Sequence, residues 1–176
     1  RHGKYLFAAL DNDKWLVMHF GMTGFLKYFK KREKDPPHDR LLIGFADGYQ
    51  LAFDCQRKLG EIYMTDDLKA FIKAKALGPD ALDPKLDFTI FSERLGTSKA
   101  AVKSALVNQQ IIAGIGNVYS DEILFQAGIH PKAKAGQVGR RSLQTLFKEM
   151  KDVLSEAIER RADPEQLPET YIIPER

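Results

Sequence analysis

Between Lys103 and Pro131 the chain has little freedom in what it can fold into. Gly114 and Gly116 interrupt one helix-forming run directly before another, which stops at Gly128 and Pro131. The spacing predicts a helix, a compact Gly-Ile-Gly-Asn turn and a second helix. Glycines placed there let the backbone approach a bulky anion, and the free N–H groups that open the second helix can donate to it. Asn117 is expected to cap that helix and to present its side-chain amide on the same side. A phosphate of nucleic acid is the expected occupant.

Upstream, residues 4–64 read as strands. Tyr5–Leu10 and Trp15–Phe20 flank a turn-rich Asp11-Asn-Asp-Lys14, and Phe25–Lys30 mixes aromatic with basic residues. Leu41–Phe45 and Tyr49–Phe53 surround Ala46-Asp-Gly48, a hairpin signal. An antiparallel all-β half is expected. The period then changes. Leu68–Leu77 reads as a helix stopped by Gly78-Pro79, and residues 80–87 read as a linker with two acidic-proline breaks. Helices are expected at 88–95, 99–108, 117–127 and 142–161. In the last of these, Leu143, Leu146, Phe147, Met150, Val153, Leu154, Ala157 and Ile158 recur at three- and four-residue spacing, which predicts a core face.

With 176 residues, 44% of them hydrophobic, the chain can bury a core in one or two domains. No apolar run approaches the ~18–20 residues of a membrane span. The single cysteine, Cys55, excludes an internal disulfide and a cysteine-built zinc site within the chain, and fits a reducing, cytoplasmic setting. Net charge is only +3. Residues 1–64 hold 11 Lys/Arg against 8 Asp/Glu while the remainder balances, so a nucleic-acid surface must be a local patch rather than a global field. The chain opens on Arg1-His-Gly-Lys-Tyr-Leu6 without a methionine, as if already inside a strand, and is expected to be a fragment.

The glycine turn with its two helices resembles the helix-two-turn-helix element of the formamidopyrimidine-DNA glycosylase and endonuclease VIII (Fpg/Nei) family. Five further segments agree in order along the chain. Arg1-His-Gly-Lys-Tyr-Leu6 resembles that family's Arg-Arg-Gly-Lys-Tyr-Leu, and His19-Phe-Gly-Met-Thr-Gly24 its His-Leu-Gly-Met-Ser-Gly. Cys55-Gln-Arg-Lys-Leu-Gly60 is similar to Asp-Pro-Arg-Arg-Phe-Gly, and Leu77-Gly-Pro-Asp-Ala-Leu82 to the join between domains, Leu-Gly-Pro-Glu-Pro-Leu. Lys34-Asp-Pro-Pro-His-Asp39 stands where the family has Lys-His-Asp-His. The resemblance implies an α+β fold: a partial antiparallel β-sandwich over 1–66, a helix and interdomain linker over 67–87, and a helix-two-turn-helix domain over 88–176.

It also implies an activity. Members excise oxidised bases from DNA and then cut the backbone at the abasic site, using an N-terminal proline followed by glutamate and a C-terminal zinc finger. Neither is found in this sequence, so the expectation is that zinc belongs to an absent finger and that this chain alone has little or no activity. The implied partner is double-stranded DNA carrying an oxidised base or abasic site, bound by a monomer with no membrane association.

Residue by residue, Lys4 matches a lysine assigned a proton-donor role in β-elimination, and a desolvated lysine could itself form a Schiff base. Met22, Arg57 and Leu59 match the residues that fill the void left by a flipped nucleotide, with Leu59 where phenylalanine is usual. His38 corresponds to a histidine near the DNA backbone, whereas His19 reads as a core histidine. Lys99 precedes Asn117 by the separation of the family's phosphate-binding lysine and asparagine. Ser98 is expected to cap its helix, placing Lys103 one turn on and the amides of Gly114 and Gly116 nearby as a phosphate cradle. Asp121 and Glu122 read as structural, early in a helix where acidic side chains suit the macrodipole. Cys55-Gln56 departs from the Asp-Pro that stiffens the arginine turn, which puts lesion specificity in question, as does a short recognition loop between Ala133 and Arg141. A non-catalytic module for distorted or abasic DNA is the alternative function, and a binder of structured RNA a third.

Overall fold

The computed structural model describes residues 1–31 and 35–173; Lys34 of the His38 segment, and Pro174–Arg176, lie outside them. Beyond the first two residues the chain forms two compact units, Gly3–Phe71 and Ile72 onward.

The first unit contains β1 (Tyr5–Ala9), β2 (Trp15–His19), β3 (Phe25–Lys30), β4 (Asp39–Gly44), β5 (Tyr49–Asp54) and β6 (Glu61–Thr65). They form two antiparallel three-stranded sheets, ordered β1-β2-β6 and β3-β5-β4. Alternation along each strand explains why the sheets face one another. Leu6, Leu16, Met18 and Ile62 from the first sheet meet Leu26, Leu41 and Phe53 from the second in one apolar cluster. The opposite face of the first sheet is covered too. Phe71, on α1 (Leu68–Ala74), stands edge-on to Tyr5, Phe7 and Tyr63 at centroid distances of 5.4–6.0 Å. That cover leaves Val17, at the sheet's centre, 0% exposed. Helix α1 ends earlier than its sequence suggests, because Ala76 adopts a positive φ of 50°.

The second unit is helical: α2 (Phe88–Gly96), α3 (Val102–Val107), α4 (Asn117–Gln126) and α5 (Arg140–Glu159). Its core joins Phe91 and Leu95 to Ala105, Leu106, Ile112, Ile115, Ile123, Leu146, Met150 and Val153. Six of the eight periodic positions of α5 belong to or pack against that core and Ala157 is buried as well; Ile158 is 62% exposed, one residue off the line that ends at Ala157. Residues 80–87, read from the sequence as linker, are built into this unit, with Ala81 and Leu86 buried. They lie beside the α3–α4 loop. Gly78 N–H donates to Gln109 C=O (2.8 Å), Ala113 N–H to Pro79 C=O (2.9 Å) and Ala81 N–H to Ala113 C=O (2.8 Å). Glycine is required at 78, since a Cβ there would sit 2.6 Å from the carbonyl oxygens of Gln110 and Ile111.

The expected helix over 99–108 begins only at Val102. Ser98 does not cap it: its hydroxyl accepts from Ala100 N–H instead (3.3 Å). Ala100 and Ala101 stay out of the helix because this stretch pairs with the segment after α4. Val102 N–H donates to Ala133 C=O (2.7 Å) and Ala135 N–H to Ala100 C=O (3.0 Å).

Candidate nucleic-acid interface

In the first unit two turns carry three of the expected site residues. Phe20–Gly24 closes with Gly24 N–H on Phe20 C=O (2.8 Å) and lifts Met22 into solvent, 72% exposed. His19, expected in the core, is half-buried; it lies against Tyr5, and its Nδ1 accepts from Gly21 N–H at 3.2 Å. The second turn, 55–60, is organised by Cys55. Its carbonyl accepts from Lys58 N–H (3.2 Å) and Arg40 Nε (3.2 Å), while its buried sulfur accepts from Gly60 N–H (3.2 Å). The turn is thus tied down although the Asp-Pro pair is absent.

The turns touch. Gly21 has φ +60°, and a Cβ on it would lie 2.5 Å from Leu59 C=O. Arg57 N–H reaches Thr23 Oγ1 at 3.4 Å. Met22, Arg57 and Leu59 therefore share one exposed rim, Leu59 with 48% of its surface free. Two exposed apolar side chains beside a guanidinium cost the isolated chain hydrophobic area, and they suit insertion between stacked bases.

His38 is half-buried. Its N–H donates to buried Asp54 Oδ2 (3.1 Å) and its C=O accepts from Cys55 N–H (3.0 Å), so the His38 backbone braces the base of the arginine turn. The ring lines an open hollow of about 310 Å³ with Thr23, Phe25, Lys27 and Gln56. Lys4 sits in the turn before β1, exposed and with no hydrogen bond or ion pair among the described residues. Neighbouring atoms nevertheless crowd its ammonium enough for desolvation to lower its pKa from the ordinary 10.5.

In the second unit the glycine turn is where the spacing put it, with different partners. Gly116, not Asn117, occupies the cap position of α4, and Asn117 opens the helix with its side chain exposed. The first helical bond runs from Ser120 N–H to Gly116 C=O (2.9 Å), which leaves the amides of residues 117–119 as the helix's unfilled donors. Gly114, at φ +111°, gives its N–H to the Gln109 side-chain oxygen (2.9 Å). Gln109 Nε2 donates in turn to Ile115 C=O (2.9 Å) and Val107 C=O (2.7 Å). No periodicity singled out Gln109.

Lys99 is exposed in the α2–α3 loop, not on a helix. Lys103 is on α3, but its ammonium is paired with Asp121 at 2.6 Å, so Asp121 neutralises a charge assigned to phosphate. Glu122 is fully buried and does more than favour a dipole. Its carboxylate accepts from Gln126 Nε2 (2.9 Å) and from the N–H groups of Ile172 (2.9 Å) and Ile173 (3.1 Å), pinning the chain's last described residues to α4. Among the described residues no three His, Cys, Asp or Glu side chains converge. Nor is any described helix long and apolar enough to cross a membrane.

Comparison with known proteins matches the same two segments. Residues 1–62 fit the model of the formamidopyrimidine-DNA glycosylase N-terminal domain and residues 77–167 that of its H2TH domain. The formamidopyrimidine-DNA glycosylase of Geobacter metallireducens is 39% identical over 160 residues, covering 90% of this chain and 60% of its own. That of Protochlamydia amoebophila is 34% identical over 161 residues, covering 92% and 58%. The Lactococcus lactis protein in complex with Fapy-dG-containing DNA superposes with a TM-score of 0.85 at 32% identity, over 90% of this chain and 60% of that one. The same protein with abasic-site DNA gives 0.87 at 29% identity, over 98% and 64%. The chain thus spans about 60% of the length of the relatives it matches.

Proposed function

The chain belongs to the formamidopyrimidine-DNA glycosylase family, and on that premise we propose that it binds duplex DNA carrying an oxidised base or an abasic site. One observation carries the reading: Met22, Arg57 and Leu59 stand exposed on one rim, held by turns in backbone contact. Flipping a nucleotide costs a few kcal/mol, and a rim that replaces the lost stacking offsets part of it. Arg57 is suited to hydrogen-bond the orphaned base. The α4 amides, Asn117 and Lys99 take backbone phosphates, and His38, in the first unit, takes a backbone contact of its own.

Base excision followed by strand cleavage is the activity proposed for the protein of which these units form part. Within the chain the amine assigned to the abasic sugar is Lys4. Its nitrogen adds to the C1′ aldehyde and water leaves, forming an iminium. Transfer of a C2′ proton to water then breaks the C3′–O bond and expels the 3′-phosphate, and hydrolysis of the imine returns the amine. Desolvation favours this role because it raises the fraction of neutral, nucleophilic amine.

Binding is tested by fluorescence anisotropy on two duplexes that differ only in one abasic-site analogue. The expected result is salt-sensitive binding with about a tenfold preference for the abasic duplex, because the unpaired position has less stacking to lose. Equal affinity for the two would remove lesion recognition from the proposal, and no binding to either would remove DNA altogether.

A further inference from the structure

The α3–α4 loop is held along two edges by different means. On its outer edge, residues 109–113 are bonded through the main chain to Gly78, Pro79 and Ala81. That zip stops at Ala113. On the inner edge a single side chain takes over. The amide of Gln109 receives Gly114 N–H on its oxygen and gives its two hydrogens to Val107 C=O and Ile115 C=O. It spans from the end of α3 to the last residues before α4, and each of its polar atoms is used.

The direction of the Ile115 carbonyl matters beyond that bond. Ile115 C=O and Gly116 N–H belong to one planar trans peptide and point in opposite directions. Pulling the carbonyl onto Gln109 turns the Gly116 N–H away from that side chain, at the cap position that directly precedes the unfilled amides of α4. Gly116 N–H has no acceptor among the described residues. Gly114 N–H, by contrast, is already spent. We infer that Gln109 is a positioning residue for phosphate binding: by holding the Ile115 carbonyl it aims the Gly116 amide at a DNA phosphate, and Gly114 supplies backbone shape but no hydrogen bond.

This inference rests on the DNA-binding reading, and the experiment separates the two. The 176-residue chain, labelled with ¹⁵N, is titrated with the abasic duplex while the two glycine amides are followed by NMR. The expected result is a downfield shift of the Gly116 amide with Gly114 unmoved and protected from solvent exchange. A Gly114 shift as large as that of Gly116, or an unprotected Gly114, overturns the assignment whatever happens to any variant. Gln109→Met keeps the volume and removes all three bonds. It is expected to weaken binding about tenfold, the size of one lost hydrogen bond to a charged group. Because the lost donor is neutral, the salt dependence of binding should stay as in the wild type, whereas Lys99→Ala should flatten it. Wild-type affinity in Gln109→Met would sink the inference alone. Failure of the wild type to bind any duplex would sink the reading and the inference together.

Discussion

Gly21 and Leu59 meet backbone to backbone, with room for a hydrogen at Gly21 and none for a methyl: a Cβ would lie 2.5 Å from Leu59 C=O and 2.9 Å from Gly60 N. Residues 38 positions apart in sequence thus depend on one missing side chain. Gly21→Ala adds an unfavourable positive φ to that clash and is expected to destabilise the first unit by roughly 2–4 kcal/mol. Urea unfolding of the two forms measures it, and a change below about 0.5 kcal/mol would mean that the turns part easily.

The rim residues should behave in the opposite way. Met22→Ala and Arg57→Ala remove exposed side chains, so melting temperature should barely move, with stability changes within about 0.5 kcal/mol. Affinity for the abasic duplex should fall severalfold in each. A stability loss without an affinity loss would return both residues to a packing role.

The Lys103–Asp121 pair sets a brake on phosphate binding. Both groups are partly exposed, so Asp121→Asn should cost under about 1 kcal/mol of stability. With the carboxylate charge gone, Lys103 is released, and the slope of log affinity against log salt should steepen by about 0.9, one further phosphate contact. An unchanged slope would place Lys103 outside the interface.

Lys4 makes a prediction in pH. Its folded pKa is lowered by desolvation, so between that value and the ordinary 10.5 the unfolded chain binds more protons, and Lys4's contribution to stability improves as pH rises through this window. The neutral amine becomes available over the same range. Borohydride trapping on abasic DNA should therefore rise with pH, with a midpoint below the ordinary lysine value, and vanish in Lys4→Ala. A band that persists in Lys4→Ala would assign the Schiff base to another amine.

Glu122 is a costly carboxylate to remove. Glu122→Ala leaves the N–H groups of Ile172 and Ile173 without their acceptor, at about 2–4 kcal/mol for one partly buried and one buried donor. Limited proteolysis should then open the chain near Thr170–Ile173 before the helices. Wild-type resistance there would show the segment to be held by packing alone.

The strands and the α5 core face were legible because they rest on periodicity, which burial imposes along a contiguous stretch. The glycine turn was legible through residue type, since few sequences tolerate two glycines before a helix. What escaped were bonds between a side chain and a main-chain amide two to five residues further on. Gln109 holds Gly114, His19 holds Gly21 and Cys55 holds Gly60, and none of these pairings leaves a repeat in the sequence. Lys99 was misplaced for a related reason. A serine before an apolar run reads as a cap, but a strand-like pairing with residues 133–135 competed for the same backbone and won.

The zip between Gly78–Ala81 and the α3–α4 loop has a bearing on the order in which this chain is made. The segment that templates the loop leaves the ribosome about thirty residues ahead of it, so when Gln109–Ala113 emerges its partner is already waiting. Cutting the chain at Phe88, where its proline-spaced composition invites a boundary, would deliver the four helices without that template. The phosphate turn would then lose the outer edge that sets it, in a piece that still contains all of its glycines.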